Sequence, residues 1–113
     1  MHEFSIALNI VDIALKAAKD ANAKKINKVE IDVGMLSGVV IEALEFALES
    51  AVKNTLLEGS QIKINEIRAA AVCNNCNTSF EPDDFAVQCP DCKSADFKIT
   101  RGRELSVKSI DID

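Results

Sequence analysis

The sequence predicts an α+β fold: two helices on one face of a small three-stranded sheet, with a zinc-ribbon-like module inserted before the last strand. Three observations carry this. Two stretches place apolar residues at helical spacing, three place them at alternate positions, and four cysteines form two close pairs between the second and third of those strands. The 113 residues fit one compact unit carrying a small insertion. A chain of that size buries roughly two-thirds of its unfolded surface, enough for a modest core.

Residues 4–21 read as a helix with two apolar stripes side by side: Phe4, Ala7, Leu8, Val11, Leu15 and Ala18, then Ile6, Ile10, Ile13 and Ala17. Only Asn9, Asp12, Lys16, Lys19 and Asp20 stay polar, so most of the circumference is expected to be buried. Residues 24–27 form a connector. Lys28–Val33 then alternates, with Val29, Ile31 and Val33 on one face and Glu30 and Asp32 on the other, the pattern of a half-buried strand. A turn over Gly34–Gly38 leads to a second helix from about residue 40. Its core stripe is Leu44, Ala47, Leu48, Ala51 and Val52, Glu49 and Lys53 form an i,i+4 pair, and Gly59 marks the stop. Ile62, Ile64 and Ile67 alternate with Lys63 and Glu66 in a second strand. The last strand, Glu104–Ile112, starts with Leu105 and Val107 on one face. Ile110 and Ile112 break that phase, which predicts a bulge near Ser109.

Strands with one apolar and one charged face need helices on one side only. A terminal strand must pair with the sheet, so the cysteine segment is an insertion. The expected division is 1–69 plus 101–113 for one domain and 70–100 for the other, joined by connections near residues 70–72 and 98–103.

Charge and hydropathy exclude several function classes. The formal net charge is −5, which opposes a sequence-independent grip on nucleic acid. No apolar run approaches the ~20 residues of a membrane span. The first twenty residues are interrupted by Glu3, Asp12, Lys16 and Asp20 and lack the regions of a signal peptide. The expectation is a soluble cytoplasmic protein with neither nucleic-acid nor membrane partner. There is no Gly-x-x-x-x-Gly-Lys loop, and a Ser-His-Asp triad would have to recruit His2 at the chain end, so no enzymatic activity is expected.

Cys73-Asn74-Asn75-Cys76 and Cys89-Pro90-Asp91-Cys92 enclose twelve residues. Each C-x-x-C loop places two thiolates on one metal, and two loops complete a tetrahedron. Zn(II) is the expected occupant, as a staple with no open coordination position. A segment of about thirty residues folds only with such a staple. Zinc in place of four protons also makes the chain more acidic by two charges.

Met1-His2-Glu3 is a second candidate site. A free α-amine, the amide nitrogen of residue 2 and its imidazole can chelate one ion, and deprotonated amides favour square-planar Ni(II) or Cu(II). On the residues alone an ordinary exposed start is the better reading, since a lone histidine is a weak signal.

The order of these pieces resembles the HypA/HybF family of nickel metallochaperones in [NiFe]-hydrogenase maturation. The matching segments are Met1-His2-Glu3, Val33–Gly38, Phe46-Ala47, Leu57-Glu58-Gly59, the four cysteines and Gly102–Ile110, which together span essentially the whole chain. The resemblance implies Ni(II) as transported cargo, bound by His2 with the Met1 amine and backbone nitrogens at His2 and Glu3. It implies structural Zn(II) on Cys73, Cys76, Cys89 and Cys92. It further implies delivery to the hydrogenase large subunit alongside a maturation GTPase. The chain departs from the family at one place. Some members carry an acid soon after the Gly-x-x-Ser turn, where this chain has Val39, Val40 and Ile41, with Glu42 the first acid. Water or the Glu3 carboxylate would then fill that nickel position.

The alternative is a zinc-ribbon adaptor for protein or nucleic-acid binding, for which Lys98, Arg101 and Arg103 supply a small basic cluster without Trp or Tyr to stack bases. A third reading is a scaffold docking through the wet sheet face, with Glu30, Asp32, Lys63 and Lys108.

Overall fold

The computed structural model describes residues 3–82 and 88–113. Met1 and His2 therefore lie outside the described residues. The first helix, α1, runs Glu3–Asp20 with an acid in its first turn and Lys19 in its last, both favourable to the helix dipole. It ends where Asn22 takes a left-handed φ of 54°. The Ala23 N–H then reaches the Ala18 carbonyl and the Asn22 N–H the Lys19 carbonyl, a Schellman closure.

Strand β1 (Ile26–Gly34) follows, then α2 (Ile41–Ala51), β2 (Gln61–Ile67) and, after the cysteine segment, β6 (Leu105–Ile112). β1 is the centre of this sheet, parallel to β2 and antiparallel to β6. The parallel pair needs a crossover, and α2 supplies it. Ile26, Val29, Ile31 and Val33 of β1 meet Ala7, Val11 and Ala14 of α1 and Leu44 and Leu48 of α2 in one core. The α+β class and the two-helix, three-stranded arrangement are those the sequence predicts.

Several local expectations need correction. β1 starts two residues early, so Ile26 is buried strand and no connector. α2 stops at Ala51, and Gly59 (φ +86°) turns the chain into β2 eight residues later. α1 is not buried around most of its circumference: Phe4, Leu8 and Ile13 are 48%, 43% and 52% exposed. A three-stranded sheet is narrow, and α1 has only that sheet and α2 to pack against. The expected bulge is present. Glu30 faces Ser109 while Ile31 faces Val107, leaving Lys108 as the extra residue. That insertion turns Val107 and Ile110 to the same core while Leu105 remains exposed.

On the wet face, Asn65 Nδ2 donates to Glu30 Oε2 and Asp32 Oδ1, each at 3.1 Å, and Lys28 Nζ lies 3.3 Å from Glu30 Oε1. The Asn65 amide, followed by Lys28, holds the Glu30 carboxyl below its ordinary 4.5. A lowered carboxyl pKa contributes stability that is present above the ordinary value and lost as pH falls through the lowered one. A carboxyl NMR titration should give Glu30 a midpoint under 4.5 that moves back up in Asn65→Ala. A midpoint indifferent to that substitution would put the cause elsewhere.

The cysteine segment carries three short strands absent from the sequence reading: β3 (Ala70–Cys73), β4 (Ser79–Phe80) and β5 (Phe97–Arg101), in the order β4-β3-β5. Phe80 and Phe97 meet edge to face at 5.4 Å. Because β3 and β5 occupy the expected connections, the real links to the first sheet are shorter, 68–69 and 102–104.

The turn after β1 fastens both links. Gly34 N–H donates to the Glu104 carbonyl and Leu36 N–H to the Gly102 carbonyl, both at 2.7 Å, and Met35 N–H to the Ile67 carbonyl at 2.9 Å. A side chain at Gly34 would overlap the Gly102 carbonyl, and Gly102 itself has φ +117°. The molecule is elongated, 54 × 27 × 17 Å.

Candidate metal centres

Each C-x-x-C pair is a turn of the same design. The Cys73 N–H bonds to the Thr78 carbonyl and the Asn77 N–H returns to the Cys73 carbonyl; Cys89, Ser94 and Lys93 repeat both bonds. Asn77 and Lys93 hold equivalent left-handed positions, φ 61° and 65°. These two turns bring the four sulfurs within 4.8 Å of one another, with Cys73–Cys92 and Cys76–Cys89 at 3.5 Å. Disulfides need about 2.05 Å, so these are not bonded pairs. A tetrahedral ion with Zn–S bonds of about 2.3 Å needs sulfurs about 3.8 Å apart, and the cluster is close to that. The donor set is compatible with a structural zinc.

The four positions differ. Cys73 and Cys89 are fully buried, while Cys76 and Cys92 open to solvent. The Cys76 N–H pulls the Cys73 thiol down, but burial and the neighbouring Cys92 and Cys76 sulfurs outweigh it and push that thiol up to about 11. The Thr78 hydroxyl and the Thr78 backbone N–H hold the Cys76 thiol down at about 6. An incoming cation, which needs thiolates, therefore finds Cys76 the readier ligand. Thr78 went unnoticed in sequence, where a threonine after a C-x-x-C loop carries no signal.

In the helical layer of the first sheet, Glu3 is the first described residue. Its Oε2 accepts the Val40 N–H at 3.4 Å, across the gap between the starts of α1 and α2. A groove of about 570 Å³ opens there, lined by Glu3, Phe4, Glu42, Ala43, Phe46, Ala47 and Ser50. Glu42, the first acid after the Gly-x-x-Ser turn, thus shares a groove with Glu3. What sequence does not show is that α2, like α1, begins at this groove.

The family model described as hydrogenase/urease nickel incorporation, metallochaperone, HypA matches residues 1–112. A hydrogenase maturation factor HypA of Prosthecochloris aestuarii is 37% identical over 113 residues, covering 100% of both chains. That of Parabacteroides distasonis is 42% identical over 110 residues, covering 97% of this chain and 96% of its own. Among solved structures, the solution structure of the Ni metallochaperone HypA from Helicobacter pylori shares the fold, with a TM-score of 0.70 at 24% identity over 99% of this chain and 97% of that one. With the full length matched from Met1 to the last strand, this chain belongs to the HypA family of nickel-incorporation metallochaperones for hydrogenase maturation.

Proposed function

We propose that the chain binds Ni(II) at its N-terminus and delivers it to the large subunit of a [NiFe]-hydrogenase. The ligands in this reading are the Met1 amine, the backbone nitrogens of His2 and Glu3, and the His2 imidazole. A carboxylate from Glu3 or Glu42 is at hand for a further position. Cys73, Cys76, Cys89 and Cys92 hold Zn(II), which stabilises 70–100 as a unit of its own beside 1–69 plus 101–113. The maturation GTPase is the other partner, the setting is the cytoplasm, and the chain catalyses no reaction.

The observation that carries this reading is the start of α1. Glu3 opens that helix and shares a groove with Glu42 and the apolar Phe4, Ala43, Phe46 and Ala47. A terminal amine, amide nitrogens and one imidazole make a shallow tetragonal site, suited to Ni(II) and to ligand-by-ligand transfer. Such nitrogen sites bind Cu(II) more tightly than Ni(II), so selectivity in delivery comes from the docked partner.

The adaptor reading has less support. Arg101 Nε donates to the Arg68 carbonyl at 3.1 Å, and Arg68 pairs with Glu81 at 2.8 Å, so part of the basic cluster serves the junction between the sheets.

The cellular test is complementation. A strain lacking this gene should regain hydrogenase activity with the natural chain and not with His2→Ala, and excess nickel should partly rescue the latter. An adaptor would complement equally well with either chain.

A further inference from the structure

The two C-x-x-C turns share a backbone design, yet their side chains are used differently. Thr78 and Ser94 occupy equivalent positions, five residues after Cys73 and Cys89. The Ser94 hydroxyl accepts the Asp96 N–H at 3.1 Å, within its own loop. The Thr78 hydroxyl instead lies 3.1 Å from the Cys76 sulfur and 2.9 Å from Asp91 Oδ2 of the other turn. The third residues of the two turns also reach across. Asn75 Nδ2 donates toward the Cys92 sulfur at 3.7 Å, while Asp91 accepts from Thr78. The buried Cys73 sulfur has backbone donors, Asn75 N–H at 3.3 Å and Cys76 N–H at 3.5 Å. The two open sulfurs are the ones met by side chains from the first turn.

We propose that Thr78 and Asn75 are positioning residues of the zinc centre, each guarding one open sulfur: Thr78 for Cys76 and Asn75 for Cys92. The inference rests on the zinc assignment above. Four thiolates on one Zn(II) leave two excess negative charges, and hydrogen bonds to sulfur withdraw part of that charge. A sulfur so relieved is a weaker nucleophile toward an attacking electrophile. Buried Cys73 and Cys89 are shielded by the fold, whereas open Cys92 has the Asn75 amide and open Cys76 the Thr78 hydroxyl beside the Thr78 backbone N–H. Thr78 has a single hydroxyl proton, so Asp91 competes with the Cys76 thiolate for it. Asp91 is thereby a brake on the protection that Thr78 gives.

The test is site-resolved alkylation of the full-length, zinc-loaded protein by iodoacetamide, followed by mass spectrometry, with zinc content measured on every variant. Thr78→Val should speed reaction at Cys76 about threefold or more and leave Cys92 unchanged, and Thr78→Ser should restore the natural rate. Asn75→Leu should do the reverse, speeding Cys92 and sparing Cys76. Asp91→Ala should slow Cys76, the opposite sign to Thr78→Val. In the Co(II)-substituted protein, both donor-deleting variants should move the sulfur-to-metal charge-transfer band to longer wavelength. If Thr78→Val fails to retain zinc, the Asn75→Leu arm decides alone. Equal acceleration of all four cysteines, or no change in any, overturns the proposal. A natural chain that holds no zinc would instead overturn the assignment beneath it.

Discussion

Cys89→Ser should strip the zinc and unfold the second sheet while leaving the first intact. Among the described residues, those buried around β3–β5 with apolar side chains are Ala69, Ala71, Cys73, Pro82 and Cys89, all small. To them the sheet adds one aromatic pair and short two- to five-residue strands. So little burial does not offset the conformational entropy of ordering the segment. A structural zinc supplies about 10–16 kcal/mol at neutral pH, and losing one ligand removes most of it. The first sheet has an independent core in which Ile26, Ile31, Leu44, Leu48 and Leu57 are all at most 2% exposed. In amide NMR spectra, β3–β5 resonances should collapse to random-coil positions while those of α1, α2 and β1 persist. Metal analysis should find zinc gone. Dispersed β3–β5 resonances in the metal-free variant would mean that the module folds without its staple.

The same contrast explains how much was legible in the sequence. β1 alternates apolar and charged residues because one face meets the helices, so its register was open to reading. The Ser109 bulge announced itself as a phase break between Val107 and Ile110. The cysteine cluster was legible through spacing, since two C-x-x-C turns constrain four sulfurs wherever the chain carries them. β3–β5 were not, because a two- to five-residue strand organised around a metal needs no apolar periodicity. The over-burial of α1 came from counting apolar positions without knowing what they face: Phe4 and Ile13 stay about half exposed beside the narrow sheet. Glu42 was legible only as the first acid after the turn, because the groove it shares with Glu3 crosses 39 residues of sequence and exists only once the two helix starts lie side by side. Thr78 and Asn75 are likewise products of the fold.

His2→Ala carries the second large expected effect. In the proposed site the imidazole is the one side-chain nitrogen, because His2 is the chain's sole histidine. The amine and amides alone form a much weaker chelate. Its loss should cost about two orders of magnitude in Ni(II) affinity, or ~3 kcal/mol. The zinc centre lies at the far side of the turn and linker that join the sheets, built from thiolates alone, so its occupancy should not change.

The decisive measurement is a Ni(II) titration of untagged, zinc-loaded protein by calorimetry, natural chain against His2→Ala, with zinc quantified before and after. The tag must be absent because any added residue buries the α-amine in a peptide bond and can bring a nickel site of its own. The account predicts one equivalent of nickel bound by the natural chain and lost in the variant, with zinc retained in both. Equal binding by the two proteins, or binding by neither, would contradict it.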